Sequence, residues 1–121
     1  MAVRPHFAAA AYVTCMVAYI YGVYDQGLFE DDDLYWIVVL AGLAALHLAT
    51  GFLVSRWWAV LLPLVPFLLS IPAGFPESSS YEPLPTWFAA ALTAPFEAVA
   101  IAIGVFLARL RMRRSAASSI P

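Results

Sequence analysis

Residues 34–75, LYWIVVLAGLAALHLATGFLVSRWWAVLLPLVPFLLSIPAGF, form an apolar run with a single polar join at Ser55 and Arg56. As one helix the run would be about 60 Å long, roughly twice the hydrocarbon thickness of a bilayer. It must therefore fold back on itself, and a tight helical hairpin turning at Arg56 is the expected solution. Composition says what solvent such a hairpin meets. The chain of 121 residues is 64% hydrophobic and 12% charged, with a mean hydropathy of +0.84, more apolar surface than a soluble domain of this length can bury in one core. Lipid is the expected partner along most of its surface.

A membrane-crossing helix needs roughly 20 apolar residues, and four stretches qualify: 7–24, 34–54, 57–75 and 86–108. Pro5 opens the first, and the polar Asp25–Gly27 turn closes it. No small-x-small cleavage pattern precedes Asp25, so the first stretch reads as a retained span rather than a removed signal. Arg109 is the expected stop of the fourth, followed by a short basic tail, 109–121, that ends frayed.

In this threading Arg4, Arg56, Arg109, Arg111, Arg113 and Arg114, which are all of the basic residues, fall on one side of the membrane. The positive-inside rule makes that side the cytoplasm, with both termini inside. Seven of the eight acids (Asp25, Glu30, Asp31, Asp32, Asp33, Glu77 and Glu82) fall on the other side. Tyr35, Trp36, Tyr81 and Trp87 then mark the outer boundary, and Trp57 and Trp58 the inner one. The expected fold is an all-α, up-down bundle of four transmembrane helices forming one membrane domain. A basic set made only of arginine, in a chain rich in alanine and without asparagine, suggests a high-GC bacterium and its cytoplasmic membrane.

In lipid, helices approach closely through small residues. Ala8, Ala11, Cys15, Ala18 and Gly22 form such a seam on the first span. Ala41, Ala45 and Ala49 form one on the second, and Ala90, Ala94, Ala98 and Ala102 one on the fourth. The third span carries Pro63, Pro66 and Pro72, each lacking a backbone donor; a kinked or locally unwound helix is expected, with the Ser70 hydroxyl available to a freed carbonyl.

The eighth acid, Glu97, lies about ten residues from either end of the fourth span, near the bilayer midplane. An ionised carboxylate facing lipid at that depth costs about 2.5–3.5 kcal/mol or more, so Glu97 is expected to face protein or water. Thr93, one turn earlier, is its expected hydrogen-bond partner, and Pro95 between them leaves the Ala91 carbonyl short of a donor. The second span supplies His47, with Thr50 on its face. His47 stands nine residues from Arg56 and Glu97 twelve from Arg109, so both lie at nearly one depth and a His47–Glu97 contact is geometrically open. Glu97, His47, Thr93 and Thr50 are the candidate intramembrane polar site.

Other chemistry is not indicated. No Cys/His cluster suits zinc, no glycine-rich loop suits a phosphate, and no nucleophile elbow is present. His6 and His47 lie at different depths and do not suit a shared haem; no metal or cofactor is expected. A net charge of −2 argues against a nucleic-acid partner. The expected protein is non-enzymatic and acts through helix–helix contacts, as a homo-oligomer or as an accessory or assembly subunit of a membrane complex. The alternative is a small proton-linked transporter or channel whose path passes Glu97 and His47.

Overall fold

A computed structural model of the chain describes residues 4–24, 33–73 and 85–118, and every element in it is helical. The first helix, α1 (Pro5–Tyr19), starts where proline costs nothing, because the first backbone N–H of a helix has no partner in any case. Arg4 before it is extended, and its carbonyl accepts from the N–H groups of Phe7 and Ala8. At Ile20 the backbone stays right-handed but widens into a π-helix, Ile20–Tyr24.

The second helix, α2 (Asp33–Val54), ends in a left-handed residue, Ser55, with φ of 52°. The Ser55 N–H donates back to the Gly51 carbonyl at 2.9 Å, the bond of an αL cap that is usually built on glycine. Arg56 is then extended, and the chain reverses. The turn falls at Ser55–Arg56, where the polar join places it.

Three prolines shape the next segment by one repeated device. A proline at position i cannot donate to the carbonyl at i−4, so the residue just before it donates there instead, over a shorter three-residue loop. Leu62 thus donates to Ala59, four before Pro63; Val65 to Leu62, four before Pro66; and Ile71 to Leu68, four before Pro72. The outcome is a 3₁₀-helix over Trp57–Leu61, a short helix α3 (Leu64–Ser70) and a 3₁₀ turn over Ile71–Ala73. Ile71, by bonding Leu68, leaves the Phe67 carbonyl open, and the buried Ser70 hydroxyl donates to it at 2.6 Å. Leu69 finds no N–H on Pro72, three residues on; the Tyr21 hydroxyl donates to its carbonyl at 2.5 Å, tying the end of α1 to α3.

The last helix, α4 (Thr86–Ser118), is 33 residues, about 50 Å. Pro95 sits inside it without ending it, and the helix passes through Arg109 to Ser118. Arginine stops a span because of its charge, not its propensity, which is among the best for a helix.

The tightest packing is between α2 and α4, where Gly51 and Gly104 bring the two backbones together: a Cβ on Gly51 would overlap the Ile101 carbonyl, and one on Gly104 the Leu48 carbonyl. Around this crossing lies the core, made by Ala8, Tyr12 and Met16 of α1, Val54, Ala59 and Leu62 around the hairpin, and Ile101 and Val105 of α4. The expected small-residue seams are mostly not the contacts. Ala41, Ala45 and Ala49 of α2, Ala11, Cys15 and Ala18 of α1, and Gly22 of the π-helix after it are exposed, while Ala90, Ala94, Ala98 and Ala102 are half-buried. Alanine is too common here to mark a face, and the two glycines allow a closer approach.

Two helices, Ile37–Val54 and Thr86–Ser118, are long and apolar enough to cross a membrane. Only 22% and 17% of their most apolar stretches are buried within the molecule, so a protein core does not account for their apolarity. The described arginines gather at one end. Arg109 lies over the Trp57 ring at 5.7 Å and Arg111 over Phe52 at 5.9 Å, while His6, two residues from Arg4, stacks on Trp58 at 6.1 Å. The acidic runs at 25–32 and 74–84, Tyr81, and the side chains of Asp33, Tyr35 and Trp36 lie outside the described residues.

Candidate functional site

Two polar side chains, from α1 and α4, converge on a ring nitrogen of a third, from α2. His47 projects from the middle of α2 and is 2% exposed. Its Nδ1 lies 2.5 Å from the Leu43 carbonyl one turn earlier. A carbonyl only accepts, so Nδ1 carries the proton, and in the neutral ring Nε2 is left as an acceptor. The Tyr12 hydroxyl of α1 donates to that Nε2 at 3.1 Å, with the two rings edge to face at 5.2 Å. Glu97 of α4 brings its Oε2 to 3.7 Å from the same Nε2.

The local sequence explains the arrangement. On α1, Ala8, Tyr12, Met16 and Ile20 recur every four residues and form its buried face. On α2, His47, Thr50, Gly51 and Val54 form the corresponding face, and on α4 Glu97 lies one turn before Ile101 and two before Gly104 and Val105. The Gly51–Gly104 crossing draws α2 and α4 together about one turn from the site, so the imidazole and the carboxylate meet without long reach.

The site sits at a boundary. The buried core lies on its arginine side, and Glu97 lines two of the cavities among the described residues. One, of about 60 Å³, runs past Met16, Pro66, Phe67, Ala90 and Thr93 to Thr86 at the start of α4. The other, of about 370 Å³, lies among α1, α2 and α4, with His47 and Glu97 in its wall and exposed Leu40 and Phe96 at its rim. The Glu97 side chain is 16% exposed, and among the described residues no donor reaches its carboxylate within hydrogen-bond distance.

The other expected members of the site make no hydrogen bond to the triad, although Thr93 lines both cavities beside Glu97. Thr93 is exposed and donates to the Ala89 and Ala90 carbonyls at 3.2 and 3.1 Å, not to Glu97. Thr50 is buried and donates to the Leu46 carbonyl at 2.7 Å. Both follow the habit of helical threonines, which bond back one turn when nothing nearer offers. Pro63 and Pro66 lie at the start of α3, where the segment departs from a continuous α-helix.

Tyr12 is the residue that sequence reasoning missed. A depth count would have found it, since it stands eight residues from Arg4 as His47 stands nine from Arg56. Among the described residues no group of three or more His, Cys, Asp or Glu is placed to hold a metal ion.

The chemistry open to the triad is an exchange of hydrogen bonds. With His47 neutral, Tyr12 donates to Nε2 and Glu97 stands off. With a proton on Nε2, that nitrogen becomes a donor, Tyr12 loses its acceptor, and the carboxylate at 3.7 Å is the nearest anion to receive the new N–H. Neither a protein-family model, nor a curated protein, nor a solved structure matches the chain.

Proposed function

We infer that the chain is a four-span protein of a bacterial cytoplasmic membrane, both termini inside, and that Tyr12, His47 and Glu97 form a proton-responsive centre on a small transporter's path. The carrying observation is the convergence of a phenol and a carboxylate on one imidazole nitrogen, beside two cavities that Glu97 lines. Intramembrane ionisable groups are expensive and mark ion or substrate paths by default.

Span geometry supports the setting. The helical rod Pro5–Tyr24 reaches across a bilayer core, as do α2 and the first two-thirds of α4. The third segment has fewer residues, but its backbone stays right-handed through Leu62, Pro63 and Ile71. A 3₁₀-helix rises about 2.0 Å per residue against 1.5 Å for an α-helix, so Trp57–Ala73 extends to roughly 30 Å. The prolines thus lengthen the segment most in need of length. All six arginines at one end support the orientation.

The test is proton flux in proteoliposomes. The parent protein is expected to dissipate an imposed pH gradient, and Glu97→Gln, which keeps the shape and removes the charge, is expected to abolish the effect. Flux unaltered by that substitution removes Glu97 from the path. A second reading, a non-enzymatic subunit acting through helix contacts with a second copy or another membrane protein, is favoured by one observation: α2 turns Ala41, Ala45, Leu48 and Ala49 outward, a surface flat enough for another helix. A defined membrane partner co-purifying in mild detergent, with no flux on reconstitution, selects this reading.

A further inference from the structure

We propose that the 370 Å³ cavity among α1, α2 and α4 binds a compact organic ammonium ion, and that this ion and a proton compete for the Glu97 carboxylate. The proposal names the substrate class of the proton-responsive centre and rests on that reading.

Size, charge and wall chemistry select the ligand together. About 370 Å³ lies within the range of small-molecule sites and far exceeds a bare metal ion or a water. A hard cation would ask for six or more oxygens, and besides the Glu97 carboxylate the side-chain oxygens in this wall are the hydroxyls of Tyr19 and Thr93, set among Leu40, Leu43, Ala44 and Ala100. The one anionic group is Glu97. An anion would be repelled by it, and a neutral acyl chain would fill the volume but leave the carboxylate unmatched in a low-dielectric wall. A cation with an apolar body satisfies both.

The protein does not supply that cation itself. Both nitrogens of His47 are engaged, Nδ1–H with Leu43 and Nε2 with Tyr12, so the neutral ring brings no charge to Glu97. The arginines are remote; Arg109 follows Glu97 by twelve residues, about 18 Å along α4. The ionisable groups facing Glu97 are Tyr12 and Tyr19 from α1 and His47 from α2. The proline segment presents Pro63, Pro66 and Phe67, none of which is charged.

The rim adds the last element. Phe96, 78% exposed and next to Glu97, and Tyr19 line the cavity with aromatic rings, the surface that attracts a quaternary or alkylated ammonium. The opening between exposed Leu40 and Phe96 faces the side of the bundle, so the ligand arrives from the lipid. When one monovalent cation takes the place of the carboxyl proton, that proton leaves to water and the charge of the site is unchanged. Coupling of proton and ligand needs no further group.

The probe is radiolabelled benzyltrimethylammonium, which has no proton of its own to lose, added to the full chain in phosphatidylcholine nanodiscs. Saturable binding at one site per chain is expected, weaker at acid than at alkaline pH because the proton competes for the same carboxylate. Glu97→Gln is expected to cost about tenfold or more, Phe96→Leu severalfold, and Glu97→Asp and Arg113→Ala little. Absence of saturable binding overturns the proposal. So does undiminished binding to a folded Glu97→Gln protein, or displacement by the uncharged isostere neopentylbenzene as efficient as by unlabelled cation. Infrared spectra of the same samples separate this proposal from the reading beneath it. A Glu97 carboxyl band that changes with pH in a protein that binds no cation overturns the ligand alone, whereas a band that never changes, with cation binding independent of pH, overturns proton competition and the proton-responsive centre together.

Discussion

Gly51 of α2 and Gly104 of α4 meet backbone against backbone: the position of a Cβ on Gly104 lies 2.9 Å from the Phe52 nitrogen and 3.1 Å from the Gly51 carbonyl carbon. No rotamer relieves an overlap with main-chain atoms. Either glycine changed to alanine must push the helices apart, and overpacking of this kind costs about 1–3 kcal/mol. Gly42 has nothing within 4 Å of its Cβ position, so Gly42→Ala is expected to stabilise α2 by up to about 1 kcal/mol through helix propensity alone. Reversible unfolding in mixed micelles checks both. If Gly51→Ala and Gly42→Ala behave alike, the close crossing is not what holds α2 to α4.

The same crossing sets the reach of the site. His47 precedes Gly51 by one turn, and Glu97 precedes Gly104 by two, so helices forced apart at the glycines also separate imidazole from carboxylate. Gly104→Ala is expected to lower proton flux in liposomes even though no ionisable group is touched. Full flux in a stably folded Gly104→Ala protein would show that the 3.7 Å approach of His47 to Glu97 plays no part in it.

Ser55 carries a φ of 52° at the end of α2, where a side chain crowds the following carbonyl at a cost of about 1–2 kcal/mol. Glycine bears no such cost there. Ser55→Gly is therefore expected to raise stability by about 1 kcal/mol. Ser55→Pro, which fixes φ near −65° and deletes the N–H that bonds Gly51, is expected to disrupt the hairpin. Thermal denaturation in detergent checks the pair, and a loss of stability in Ser55→Gly contradicts the strained cap.

What the sequence makes legible follows from which signals survive in lipid. The fold-back at Arg56 is readable because length is a hard constraint, and the helix start at Pro5 because a proline in the first turn works in any solvent. The nearness of His47 and Glu97 is suggested by counting depth from arginines, since charge fixes depth. The rotation of each helix is not readable. In a soluble bundle the buried face is the apolar one, whereas here Ala41 points out and Thr50 points in, so apolarity does not separate the faces. For that reason nothing marks Tyr12 as facing inward from the first span. The reach of the third segment was hidden too, because proline reads as a broken helix when, at Pro63, Pro66 and Pro72, it produces a stretched one.

Tyr12 is 1% exposed, and its hydroxyl is the donor to His47 Nε2. Tyr12→Phe preserves the ring and its edge-to-face contact but leaves a buried acceptor without its partner, which costs about 1–3 kcal/mol. Combined with His47→Leu in a double-mutant cycle, the two changes are expected to show a coupling of about 0.5–3 kcal/mol. Strictly additive losses would mean that the phenol and the imidazole are neighbours without an energetic link.

Orientation can be read directly, with the exposed Cys15 replaced by serine to clear the background. Arg56→Cys at the hairpin and Ala116→Cys near the end of α4 are expected to react with an impermeant maleimide only in inverted membrane vesicles, and Pro85→Cys before α4 only in intact cells. Trp57, held by Arg109, and Trp58, stacked with His6, share the end of the bundle with Arg56, so their fluorescence should be quenched by an impermeant quencher from the same side as the label on position 56. The positive-inside rule counts arginines near span ends, and in the proposed threading all six arginines fall on one side, with none to argue for the opposite orientation. Labelling of position 56 from the outside would invert the bundle, and the cavity that runs from Glu97 to Thr86 would then open toward the cytoplasm instead of away from it.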